Sequence, residues 1–114
     1  MKVLVCGGRD YTNKLKVWAV LHELHSHHVI THIIQGGAKG ADYSASSWAR
    51  STNGVQDVQC DANWDRDGKK AGPIRNMLML ALNPDLVIAF PGGTGTADMV
   101  RRAKAASIPV RQEI

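Results

Sequence analysis

Short apolar segments alternate along this chain with longer segments in which apolar residues recur every three or four positions. The short segments predict strands at residues 3–6, 31–35, 55–60, 85–90 and 108–112. The periodic segments predict helices at residues 13–28, 41–51 and 96–106, and a further helix that begins at Pro73. Strand and helix therefore alternate four times before a fifth strand.

This alternation predicts an α/β fold, because a strand, a helix and a parallel strand form the unit of a parallel sheet. Right-handed crossovers with one reversal give a Rossmann-like, doubly wound, five-stranded parallel sheet of order 3-2-1-4-5, with helices on both faces. Pro109 places the last strand at an edge. Strands one and four then flank the point where the order reverses, which is where such sheets bind ligands.

In the third long helix, an apolar stripe is expected to face the sheet, and it consists of Ile74, Met77, Leu78, Ala81 and Leu82. Met79 and Leu80 are apolar beyond this stripe. We therefore expect this helix to carry a subunit contact, which makes the protein a homo-oligomer.

Three glycine-rich segments each follow a predicted strand: CGGRD, QGGAKGAD and PGGTGTAD. Glycine lets the main chain approach a ligand closely, and the N–H groups at the start of the following helix attract anions. A phosphate group is the natural occupant. The predicted ligand-binding residues are Gly7, Gly8, Arg9, Asp10, Gly36, Gly37, Gly40, Asp42, Arg75, Asn76, Pro91, Gly92, Gly93, Thr94, Gly95, Thr96 and Asp98.

Length and composition restrict the class of protein. The chain has 114 residues, of which 44% are hydrophobic and 21% are charged, as in one globular domain over residues 1–114. No apolar run approaches the ~18 residues of a membrane span, so no membrane partner is expected. Two cysteines and the lack of a signal-peptide core predict a cytoplasmic protein. The net charge of +4 is modest.

Several familiar motifs are absent. The chain contains no GxxxxGK[ST] sequence, and the GxGxxG-like run that starts at Gly93 ends in Asp98. Neither a P-loop ATPase nor an ordinary dinucleotide dehydrogenase fits, and no cofactor is expected. The histidine-rich segment HELHSHH lacks the HExxH spacing, so no metal site is expected.

The segments VLVCGGRDYT, IIQGGAKGAD, AGPIRNMLML and PDLVIAFPGGTGTADMV together resemble the YspA-like, cpYpsA-related branch of the SLOG superfamily. The resemblance covers nearly the whole chain. It implies a Rossmann-like SLOG domain that binds a nucleotide or a nucleotide derivative and that occurs in phages and mobile elements. The superfamily also includes the LOG phosphoribohydrolases, which cleave the base from nucleoside monophosphates, and the DNA-processing protein DprA.

The LOG motif PGGxGTxxE aligns with this chain from Pro91 to Thr96, but its catalytic glutamate falls on Met99. Asp98 stands one residue earlier and points about 100° away on a helix. The LOG arginine corresponds to Arg75 in this resemblance. If the protein is an enzyme, Asp98 and Arg75 are its candidate catalytic residues.

Two functions follow as expectations. The first is binding of a nucleotide or a nucleotide-derived small molecule, as a sensor or a sponge. The alternative is LOG-like hydrolysis of an N-glycosidic bond. A third reading, single-stranded DNA binding by analogy to DprA, is weaker because basicity is modest and aromatic residues are not interleaved with basic ones. A nucleic-acid partner is therefore not expected, although Trp64 could either stack on a base or pin its own loop.

Overall fold

Five parallel strands form one sheet in the computed structural model, which describes all 114 residues. The strands are β1 (Lys2–Cys6), β2 (His32–Gln35), β3 (Gln56–Gln59), β4 (Leu86–Ala89) and β5 (Val110–Gln112). Their order is β3-β2-β1-β4-β5, and every neighbouring pair is parallel. The predicted Rossmann-like α/β fold with strand order 3-2-1-4-5 is confirmed, including the edge position of the last strand.

The helices are α1 (Lys14–His27), α2 (Ala41–Arg50), α3 (Trp64–Asp67), α4 (Ala71–Leu80) and α5 (Thr94–Ala105), with one 3₁₀ turn at Gly68–Lys70. The first helix begins after Asn13, whose side-chain oxygen accepts a hydrogen bond from the Lys16 N–H at 3.1 Å. No helix combines the length and the apolar character that crossing a membrane requires.

The side chains of each central strand alternate between two hydrophobic clusters, because successive residues of a strand point to opposite faces. In β1, Val3 and Val5 pack with α1 and α2, whereas Leu4 and Cys6 pack with α4 and α5. Trp48 of α2 is 1% exposed in the first cluster. Both cysteines are free thiols.

Two helices begin two residues earlier than the sequence-based expectation. Helix α4 begins at Ala71, so Pro73 is its third residue, where the missing N–H is still not needed for an intrahelical bond. Helix α5 begins at Thr94, two residues earlier than predicted. The segment expected as a loop before α4 contains α3 and the 3₁₀ turn.

The predicted apolar stripe of α4 is wrong. Met77 and Leu78 are 49% and 56% exposed, whereas Asn76 and Met79 are 3% and 2% exposed. A polar contact sets which face of the helix is buried, because the Asn76 side chain is hydrogen-bonded to α5. Met79 therefore lies in the core and is not available for a subunit contact. The homo-oligomer itself stays a prediction.

Candidate functional site

The carboxyl ends of β1 and β4 lie side by side and open into a large crevice. Cys6 is in register with Ala89, and beyond that pair the Gly8 N–H donates to the Pro91 carbonyl at 2.8 Å. The first and third glycine segments are therefore hydrogen-bonded to each other. The crevice above them has a volume of about 1330 Å³.

The crevice collects the residues predicted as ligand-binding, with one exception. Its lining includes Gly7, Gly8, Arg9, Asp10, Gly36, Gly37, Asp42, Arg75, Asn76, Pro91, Gly92, Gly93, Thr94, Gly95, Thr96 and Asp98. Gly40 lies beneath it and packs against the backbone of Gly8 and Arg9, where its φ of +80° favours glycine. Their role in binding remains a prediction.

The glycines at this edge are of two kinds. A β-carbon on Gly7 would lie 2.6 Å from the Ala41 β-carbon, and one on Gly92 would lie 2.6 Å from the Gly8 nitrogen. These two residues are small because protein packs against them. A β-carbon on Gly93 or Gly95 would meet no atom within 4 Å. Internal packing therefore does not require glycine at either of these positions.

Two helices begin at the crevice without a side-chain cap. Gly40 precedes α2 and Gly93 precedes α5, and at neither helix start does a side chain accept a capping hydrogen bond from a backbone N–H. The first N–H groups of a helix have no intrahelical partner and carry partial positive charge. The start of α5 therefore offers donors to an anion, whereas the Ala41 N–H at the start of α2 already donates to the Gly8 carbonyl at 3.4 Å.

Arg75 and Asn76 connect the second and third glycine segments. The Arg75 guanidinium donates to the Gly36 carbonyl at 2.7 Å and to the Asn76 side-chain oxygen at 3.1 Å. The Asn76 amide donates in turn to the Gly95 carbonyl at 3.2 Å. Arg75 is half-buried and forms no ion pair with a carboxylate. Its positive charge is therefore left for the crevice.

Asp98 is surrounded by donors from its own chain. Its carboxylate accepts hydrogen bonds from Asn76 at 3.0 Å and from Arg102 at 2.8 Å, and it also pairs with Arg101. Burial by itself raises the pKa of Asp98, but the hydrogen bonds from Asn76 and Arg102 and the charges of Arg102 and Arg101 outweigh it and lower the pKa. The carboxylate thus has no proton to donate near neutral pH. Met99, on which the LOG glutamate falls, is 0% exposed in the core.

Asp42 is hydrogen-bonded to the loop that precedes α2. Its side chain is 6% exposed and accepts a hydrogen bond from the Ala38 N–H at 3.2 Å. Burial raises the pKa of Asp42 to about 6, against the lowering effects of the hydrogen bond from Ala38 and the Arg75 charge. This carboxylate stabilises the turn between β2 and α2.

Positive charge and one aromatic ring stand at the rim of the crevice. Arg9, Lys39 and Lys69 are exposed there, and none of them forms an ion pair. Trp64 is 61% exposed, and its ring lies beside Gly72 at the start of α4. The indole is therefore open to stacking with a planar partner.

Tyr11 is a crevice residue that the sequence analysis missed. Its ring stacks on Phe90 with a centroid separation of 5.5 Å, and its buried hydroxyl has no hydrogen-bond partner. The only sequence signal was its position directly after the first glycine segment. The histidine-rich segment lies elsewhere: His25 accepts a hydrogen bond from the Ile30 N–H and packs edge-on against Trp48.

Among solved structures, the chain is similar to DNA processing protein A from Helicobacter pylori, described for its unique single-stranded DNA binding mode. The TM-score is 0.73 at 20% sequence identity, and the match covers 98% of this chain. It covers 64% of the H. pylori chain, so this chain spans less than two thirds of that protein.

That match corrects two expectations of the sequence analysis. A nucleotide or nucleotide-derived small molecule was expected as the ligand, with N-glycoside hydrolysis as the alternative and no nucleic acid as partner. These expectations are wrong, because a solved structure that shares the fold of this chain is that of a protein that binds single-stranded DNA.

The chain is similar in sequence to a phage protein and to one family model. The chain is 37% identical over 116 residues to the Gene 61 protein of Mycobacterium phage D29, a match that covers 96% of this chain and 93% of that protein. A phage relative agrees with the occurrence that the resemblance implied. The family model described as YspA, cpYpsA-related SLOG matches residues 1–66, which include the first two glycine segments. The chain therefore belongs to the YspA, cpYpsA-related SLOG family.

Proposed function

We propose that residues 1–114 form a single domain that binds single-stranded DNA in the crevice at the carboxyl edge of the sheet. The observation that carries this proposal is the combination of open glycine backbone, unpaired cations and an exposed indole around one crevice. The fold shared with the H. pylori protein supports it.

The glycine segments provide sites for phosphate groups. Gly93 and Gly95 leave open space beside the start of α5, and that helix start has no side-chain cap. A phosphate oxygen can accept hydrogen bonds from these N–H groups, as anions do at helix N-termini. The half-buried Arg75 guanidinium adds a positive charge in the same crevice.

Trp64 and the rim cations supply the two other elements of single-strand recognition. Proteins that bind single strands without sequence preference combine a basic groove with aromatic rings on which bases stack. Lys69 and Trp64 line the same crevice, and the net charge of the chain is +4. The arrangement predicts contacts with the backbone and with one base face rather than a reading of base edges.

The size of the crevice favours a polymer. Pockets for small ligands typically measure about 300–1,000 Å³. The crevice, at about 1330 Å³, is larger than this range. It therefore has room beyond what one small ligand fills.

Fluorescence anisotropy with labelled oligothymidylate tests the proposal. We expect the logarithm of the binding constant to fall linearly with the logarithm of the salt concentration, because the protein displaces counterions from the phosphates that it binds. Thymidine monophosphate should compete far more weakly than the unlabelled oligomer, and a blunt duplex should compete less than the single strand. Arg75→Ala should weaken binding by about 10-fold or more.

Arg50→Ala is the matched control, because Arg50 is exposed in the last turn of α2 and lies outside the crevice. It should leave affinity unchanged. No binding of the oligomer by wild type, or equal competition by the monophosphate, would overturn the proposal.

A further inference from the structure

A second groove adjoins the crevice on the other side of the third glycine segment. It has a volume of about 580 Å³ and lies between α5 and the carboxyl ends of β4 and β5. Pro91, Gly92, Gly93 and Thr96 line both the crevice and this groove. A ligand that crosses this segment passes directly from one cavity into the other.

One face of α5 forms a wall of the groove. Gly93, Ala97, Arg101 and Lys104 all line it, at spacings of four, four and three residues. Such spacing places side chains in one row along a helix. At 1.5 Å of rise per residue, the row extends about 16 Å from the glycine segment toward the far end of α5.

The charged side chains of the groove are mostly positive. Lys104 is exposed and forms no ion pair, and the Arg101 side chain is 70% exposed although it pairs with Asp98. The acidic side chain of the groove, Glu113, is already met by Arg111 at 2.9 Å and by Lys16 at 3.6 Å. Lys104 is therefore a free cation in a groove that begins at the third glycine segment, the proposed phosphate site.

We infer that a single DNA strand held in the crevice continues across the Gly92–Thr96 segment and lies along α5, with a phosphate beside Lys104. This inference rests on the proposed function and extends it, because it gives the strand a path and a minimum length. A short oligomer fills the crevice alone, whereas a longer one also reaches the α5 groove.

The test compares oligothymidylates of about 4 to about 16 nucleotides, the range of site sizes known for OB folds that bind single strands. Lys104→Ala should leave the affinity for the shortest bound oligomers unchanged. It should weaken the longer ones about 3- to 10-fold and reduce the magnitude of their salt slope by about 1, as expected for one lost phosphate contact. Arg50→Ala is again the matched control, since it removes a cation from the last turn of another helix.

The outcomes separate this inference from the proposed function. If wild type binds no oligomer of any length, both fail. If wild type binds oligomers but Lys104→Ala weakens none of them, or weakens all lengths equally, the path along α5 is wrong and binding in the crevice stands. An effect limited to the longer oligomers, with the Arg50→Ala affinities equal to wild type, establishes the path.

Discussion

The Asn76 side chain donates a hydrogen bond to the Asp98 carboxylate at 3.0 Å and joins α4 to the first turns of α5. The same amide also donates to the Gly95 carbonyl at 3.2 Å. Asn76 accepts from Arg75, which itself donates to Gly36, so one polar chain crosses from the second glycine segment to the third. The geometry of the crevice therefore depends on a buried amide at its centre.

Asn76→Ala should lower the free energy of unfolding by about 1–3 kcal/mol, because it removes a buried donor and leaves Arg75 and Asp98 with fewer partners. Urea denaturation measures this change. Met77→Ala is the neighbouring control, since Met77 is 49% exposed and the substitution should cost about 0.5–1 kcal/mol at most. Equal losses for the two variants would argue against the role of the polar chain.

Substitution of Gly92 should mainly affect stability, whereas substitution of Gly93 should mainly affect binding. Gly92→Ala should destabilise the fold by about 1–3 kcal/mol, because its β-carbon would lie 2.6 Å from the Gly8 nitrogen. Gly93→Val should cost only about 1 kcal/mol or less, since a β-carbon there meets no atom within 4 Å. It should nevertheless weaken single-stranded DNA binding at least about 10-fold by filling the space beside the helix start.

Thermal denaturation and anisotropy on the same preparations separate these effects. A stable Gly93→Val variant that binds like wild type would place the phosphate elsewhere.

Trp64→Ala should weaken oligonucleotide binding by about 1–3 kcal/mol, the scale of one base stacked on an aromatic ring. Trp64→Phe should retain part of the lost binding energy, because an aromatic face remains. The intrinsic fluorescence of Trp64 should also change when DNA binds. Tyr43→Ala serves as the control, because Tyr43 is equally exposed, at 61%, but lies on α2 outside the crevice. Loss of affinity in the control alone would contradict the stacking site.

Asp42 should make the protein less stable as pH rises from about 4 to about 6. Its folded pKa of about 6 lies above the ~3.9 of an unfolded aspartate, so in this window the folded state holds a proton that the unfolded chain has lost. The resulting loss of folding stability is at most about 3 kcal/mol; it is complete above pH 6 and absent below both pKa values. The lowered pKa of Asp98 acts in the opposite direction, because the charged carboxylate stabilises the folded state. This stabilisation is lost only as pH falls.

Asp42→Asn should therefore stabilise the protein relative to wild type at pH 7.5 and much less at pH 4.5. The asparagine oxygen can still accept the hydrogen bond from Ala38. Urea denaturation at the two pH values measures the difference, and a variant that tracks wild type at both would show that the buried charge does not govern this dependence.

The strand order was predictable because buried parallel strands are apolar on both faces. Val3 to Cys6 and Leu86 to Ala89 form continuous apolar runs, and such runs are recognisable without knowledge of their neighbours. Right-handed crossovers then leave few possible arrangements. The position of the glycine segments at one edge follows from the same rule, since every parallel strand ends at that edge.

The orientation of α4 could not be predicted in this way. An apolar pattern favours Met77 and Leu78 as core residues, but the partners that bury Asn76 are Gly95 and Asp98, 19 and 22 residues farther along the chain. A hydrogen bond over that separation leaves no local trace in the sequence. The contact between Asp98 and Asn76 was unpredictable for the same reason, whereas Arg101 and Arg102 follow Asp98 at local helical spacings of three and four residues.

The sequence by itself determined the alternation of elements, the strand order and the edge at which the glycine segments meet, because these depend on local periodicity and chain connectivity. Only the tertiary structure decided which glycines are open and which are packed. Gly92 and Gly93 are adjacent and chemically identical, yet a β-carbon on Gly92 would collide with Thr96 and Gly8, whereas one on Gly93 would meet no atom within 4 Å. That difference depends on the fold of the segment itself and on the approach of Gly8, which the pairing of β1 with β4 brings about.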